Sequence, residues 1–92
     1  MRQPLDNGNF FDVDTATQYN EDSRTIKRDH RGAHHERMYR STKGTWILNM
    51  WIGVDREQQW HTVSEEQAIR WLIKNYHPVP DHLEHKAESL EV

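Results

Sequence analysis

The sequence predicts an α+β fold: a small antiparallel β-sheet of three to four strands, arranged as a meander, with one capped helix packed on one face. Three observations lead there. The strand-like runs His35–Ser41 and Thr45–Val54 flank the short segment Thr42-Lys43-Gly44, the pattern of a β-hairpin. The quartet Ser64-Glu65-Glu66-Gln67 is a capping box, in which the serine hydroxyl serves the third helical N–H and the glutamine reaches back. Apolar residues at helical spacing follow the box until Pro78 stops the helix.

Ninety-two residues allow one domain. A chain of this size buries only about 60–65% of its unfolded surface. Hydrophobic residues make up 34% of the chain, yet four Trp, three Tyr and two Phe are among them. Each such ring buries on the order of 150–250 Å², so a few aromatics carry the core. There is no cysteine, which excludes disulfides and thiolate-held zinc or iron–sulfur centres. The first residues lack an apolar signal region and no run reaches the ~20 apolar residues of a membrane span. The expectation is a soluble, cytoplasmic chain with no signal peptide and no membrane partner.

Taken in order, residues 1–8 are expected to be a disordered N-terminus, 9–77 the single α+β domain, and 78–92 an acidic tail or a short helix. Within the domain, Asn9–Tyr19 opens with aromatic and β-branched residues and reads as a short strand entering a turn. Residues 20–34 are charged and nearly devoid of apolar side chains, the composition of a mobile basic loop. In the second hairpin strand, Trp46, Leu48, Met50, Ile52 and Val54 share one face, and Ile47, Asn49, Trp51 and Gly53 share the other. The first face is uniformly apolar and is expected to be the core. Asp55–Gln59 reads as a polar turn and Trp60–Val63 as a third strand. The helix is expected over Glu65–Tyr76, with Ala68, Ile69, Leu72, Ile73 and Tyr76 as its apolar stripe and Trp71 on the flank.

Three strings carry a resemblance. Phe11-Asp12-Val13-Asp14-Thr15-Ala16, then Met38-Tyr39-Arg40-Ser41 with Gly44, Trp46 and Leu48, then Val63-Ser64-Glu65-Glu66-Gln67-Ala68 with Trp71-Leu72 resemble a family of small bacterial and mobile-element proteins. That family's pattern runs FDxDTA, LYRTxxGxWxL and SxEEAxxWL, and the likeness covers roughly residues 10–75. Met38 and Ser41 stand where the pattern has Leu and Thr, and DREQQ replaces a glycine-rich segment. These are strand, turn and cap motifs, so the resemblance implies a shared fold and a phage or plasmid setting, and it carries over no catalytic residue.

The chemistry on offer is sparse. His30, His34 and His35, and again His77, His82 and His85, cluster beside acids, but neither zinc-hydrolase signature is present and solvated surface histidine is the expectation. Asp12 and Asp14 share a strand face, and a solvated strand face or a turn cap is expected there rather than an acid–base pair. No thiol nucleophile, G-x-S-x-G elbow or phosphate-cradling loop is present, so the chain is expected to be no enzyme and to need no cofactor and no metal. The informative feature is charge. Between Arg24 and Lys43 seven basic residues stand against two acids, in a chain of net charge −3. Arg28, Arg37, Tyr39, Arg40, Trp51 and Trp60 are therefore the candidate partner-binding surface on the outer sheet face. Arginine, tyrosine and tryptophan are the favoured residues of protein hot spots. The same set suits single-stranded nucleic acid by charge neutralisation and stacking. The expected function is a small non-catalytic protein-binding module or regulator, in the mobile-element setting an inhibitor of a host defence complex. A nucleic-acid-binding accessory protein is the alternative. The open sheet edge leaves monomer and homodimer equally open.

Overall fold

The N-terminal eight residues are not frayed: they build half of a second, two-stranded sheet. The computed structural model describes residues 1–53 and 57–92. In it β1 (Arg2–Pro4) pairs antiparallel with β2 (Phe10–Asp12), placing Gln3 opposite Phe11. The turn between them contains Asn7-Gly8, with Gly8 at φ 91°, where a glycine carries no Cβ penalty. It closes through Leu5 N–H to Asn9 O at 2.8 Å.

The main sheet is antiparallel and five-stranded. Its centre is β5 (Gly32–Arg40) paired with β6 (Trp46–Ile52), in a register that sets His35 opposite Trp51 and Arg40 opposite Trp46. On one flank, β7 (Gln59–Val63) pairs with β6. On the other, β5 is shared by two short strands. β3 (Thr17–Asn20) takes Arg37–Arg40 and β4 (Lys27–Asp29) takes Gly32–His34. The expected mobile loop over 20–34 is thus a 3₁₀ turn at Ser23–Thr25 and a tight β4–β5 hairpin. Hydrogen bonds to polar side chains hold this segment. The Asn75 amide oxygen accepts the Asp22 N–H at 2.9 Å and the Thr25 hydroxyl at 2.8 Å. The expectations for Val54 and for the first two residues of the 55–59 turn lie outside the described residues.

Helix α1 (Glu65–Lys74) begins at the capping box, with Gln67 N–H to Ser64 Oγ at 3.1 Å and Ser64 N–H to Gln67 Oε1 at 2.8 Å. It ends before Pro78 in a Schellman turn, with His77 N–H to Leu72 O at 2.9 Å and Tyr76 N–H to Ile73 O at 3.1 Å. The left-handed position is filled by Tyr76 (φ 61°), a place that favours glycine. The buried stripe is Ala68, Ile69, Trp71 and Leu72. Trp71 therefore belongs to the core, whereas Ile73 and Tyr76 are 55% and 64% exposed. A second helix, α2 (Glu84–Leu90), follows a 3₁₀ turn at Asp81–Leu83; the turn packs Leu83 in the core and the helix packs Ala87 and Leu90 against it.

Two clusters hold the sheet. On the helical face, Met38 and Trp46 pack against Ala68, Ile69, Trp71 and Leu72, with Tyr19 and Leu48 at the edge. This is the face that period-2 alternation assigns to the core. The opposite face is also covered: Leu5 and Phe11 from the β1–β2 hairpin seal Tyr39 and Ile47, with Trp60 beside them. Ile47 is 0% exposed.

Candidate contact surface at the open end of the sheet

Both covering layers stop partway along the strands. At the Trp46 end the sheet has α1 on one face and the β1–β2 hairpin on the other. Towards the Trp51 end neither reaches it, and Met50, Trp51 and Ile52 are all only half-buried. Met50 and Ile52 thus depart from the expected core even though they lie on the core face.

The six sequence-nominated residues do not form one surface. Tyr39 is 2% exposed, edge-on to Phe11 at 5.5 Å between centroids. Trp60 is half-buried, 5.9 Å from Phe11 and 5.7 Å from Tyr39. Arg40 lies on the helical face across from Trp46, its guanidinium 5.9 Å from that indole and its Nε buried. The reason is alternation: Tyr39 and Arg40 are adjacent in β5 and must point to opposite faces. Arg28, Arg37 and Trp51 remain on the face opposite the helices, at its uncovered end. Arg28 sits across from Ala33 on the edge strand β4, with its side chain exposed.

Here the structure adds a residue. His35, directly across the sheet from Trp51, stacks on it at 5.3 Å with an interplanar angle of 23°. The Arg37 guanidinium lies 4.8 Å from the Trp51 ring centre and donates to the Tyr39 hydroxyl at 3.2 Å. Trp51 is therefore held between an imidazole and a guanidinium in one orientation. His35 is fixed in turn, since its Nδ1 lies 2.5 Å from Glu21 Oε1. Sequence reasoning treated His35 as solvated surface. The signal was present in the hairpin register, because a turn centred on Lys43 pairs residues whose numbers sum to that of the Arg40–Trp46 pair.

Around this end runs an open groove of about 1000 Å³, lined by groups from β4, β5, β6, β7 and the end of α1. Asp29 stands at its rim. The Arg31 backbone N–H and then the His34 ring hold its carboxyl down at about 2. His34 Nε2 is 2.7 Å from that carboxylate. Two further histidines have separate partners: His61 lies 2.6 Å from Asp6, and His77 Nε2 donates to Asn20 O at 2.6 Å. Among the described residues no three of His, Asp and Glu converge as a ligand set. Asp12 caps a turn, accepting the Asp14 N–H at 2.9 Å. What the arrangement offers chemically is stacking, cation–π contact and hydrogen bonding.

No protein-family model, curated protein or solved structure matches the chain. Among the described residues, no helix is long and apolar enough to cross a membrane.

Proposed function

We propose that this chain is a small, non-catalytic, cytoplasmic protein-binding module whose contact surface is the open end of the sheet, centred on Trp51 with Arg37, His35 and Arg28. The observation that supports the reading is the Trp51 stack. A half-buried tryptophan is clamped by an arginine and a histidine at the place where both covering layers end. A side chain already fixed in one rotamer loses little entropy on binding, which otherwise costs about 0.5–1.5 kcal/mol per ordered side chain. Trp and Arg are also the residues that dominate interface energetics. The resemblance to small mobile-element proteins adds the biological setting to the same proposal, an inhibitor that docks on a host defence complex.

The test is matched affinity capture from host cells with the native chain and the Trp51→Ala/Arg37→Ala double variant as baits. Proteins enriched on the native bait and lost on the variant, with unfolding midpoints of the two baits alike, support the reading. Equal capture by both baits removes this surface from the account. Loss of the captured material on nuclease treatment would move the function to nucleic acid.

A further inference from the structure

The groove has a second side that the Trp51 stack does not use. On the helical face, beyond the C-terminal end of α1, the sheet floor is made by His34, Glu36, Met50 and Ile52, with Lys27 from β4 and Lys74 from α1 at its margins. Met50 and Ile52 are only half-buried there, an apolar floor in an otherwise polar rim. The two floor ionisable groups are occupied: Glu36 accepts the Trp71 indole N–H at 3.2 Å, and His34 is 2.7 Å from Asp29. Lys27 and Lys74 are exposed and form no ion pair among the described residues.

We infer that this half of the groove receives an extended acidic–apolar peptide segment of the partner, with an aliphatic side chain on Met50 and Ile52 and flanking carboxylates at Lys27 and Lys74. The inference rests on the protein-binding reading and names the chemistry of what is bound. Its basis is complementarity. The lysines flank an apolar floor, which matches a chain that alternates aliphatic and carboxylate side chains. A methionine floor suits such an occupant, since its unbranched thioether adapts to different aliphatic shapes. A nucleic-acid strand would leave Met50 and Ile52 without an apolar partner.

Methionine methyl labelling reads the site directly in the full chain. Met50 lies in the groove, whereas Met38 is 1% exposed in the core and serves as the internal control. The probe is a capped ten-residue peptide of alternating Glu and Leu, with a Lys–Leu peptide and oligothymidine as comparisons. The Glu–Leu peptide should shift the Met50 methyl saturably, leave Met38 unmoved, and bind less tightly as salt rises because exposed pairs are screened. Lys27→Glu/Lys74→Glu should weaken it about tenfold, ~1.4 kcal/mol. Both sites are exposed, and an unchanged Met38 signal verifies that the variant is folded. A silent Met50, or one that answers equally to the Lys–Leu peptide or preferentially to oligothymidine, overturns the inference. If Met50 is silent while capture still depends on Trp51, the binding module stands and only the acidic segment falls.

Discussion

Glu21 completes the edge of the sheet at a point where no strand does: its carboxylate accepts the backbone N–H of Glu36 at 2.6 Å. β3 ends at Asn20 and β4 begins at Lys27, so β5 has no strand partner at His35 and Glu36 on that side. The same carboxylate fixes His35 through its other oxygen at 2.5 Å, and His35 fixes Trp51. Edge closure and the contact surface are thus joined through one side chain.

Removing it should be felt at both places. Glu21→Ala leaves a part-buried N–H without its acceptor, which costs about 1–3 kcal/mol. Denaturant titration should register that loss, and Glu21→Gln, which keeps one acceptor oxygen, should recover part of it. A change under ~0.5 kcal/mol for the alanine variant would show that the bond contributes nothing.

The β4–β5 turn and the end of β6 touch through glycines. A Cβ on Gly53, at φ 53°, would lie 2.9 Å from the Arg31 carbonyl oxygen, whereas one on Gly8, at φ 91°, would meet nothing within 4 Å. Both alanines suffer backbone strain of order 1–3 kcal/mol. Only Gly53→Ala adds a clash with main chain, so its unfolding midpoint should fall well below that of Gly8→Ala. Equal midpoints would contradict the close approach.

The N-terminal hairpin is structural. Phe11 is 6% exposed against Tyr39 and Trp60, and its neighbour Phe10 is 62% exposed. Phe11→Ala should cost about 3–5 kcal/mol, the usual range for a buried phenylalanine. Phe10→Ala should stay near 0.5 kcal/mol, as exposed substitutions do. Comparable losses at the two positions would mean that the hairpin does not seat on the sheet as described.

That hairpin marks where the sequence was legible and where it was not. Alternation from Trp46 to Ile52 assigned the strand and its helical face, and the capping box placed the start of α1 at Glu65, because both signals are local. The cover over Ile47 was missed, since it comes from residues more than thirty positions away. Asn7-Gly8 between Pro4-Leu5 and Phe10-Phe11 was the readable signal for it. The basic loop was misread for a similar reason. Its order comes from Asn75 and Glu21, single polar side chains that composition does not weigh. Tyr39 and Arg40 were grouped by adjacency in sequence, although neighbours in a strand face opposite ways. Trp51, Arg37 and Arg28 were nominated from residue type, and the geometry adds His35.

Acid should loosen the β3–β5 region first. The Arg24 side chain, then its backbone N–H, lowers the Asp22 carboxyl to about 2, and Asp29 is held at about 2 by Arg31 and His34. Unfolded carboxyls of this type titrate near 3.9. Depressed groups stabilise the fold above that value and lose the contribution as pH falls through their folded value. The contribution of these two groups should therefore be constant above about pH 5, and thermal midpoints should decline from about pH 4 towards 2. Asp22→Asn/Asp29→Asn should start lower and decline less steeply over that window. A parent slope unchanged in the double variant would assign the acid sensitivity to other groups.

Hydroxyl-radical footprinting of the four tryptophans in the free protein tests the open end most directly. Trp46 and Trp71, 2% and 7% exposed, lie under the helices, Trp60 lies beside the hairpin, and Trp51 lies where both covers stop. The structure predicts faster oxidation at Trp51 than at Trp46 or Trp71, and the slowest at Trp46. Protection of Trp51 to the level of Trp46 in the monomer would show that end of the sheet to be closed, and the contact surface would be lost with it.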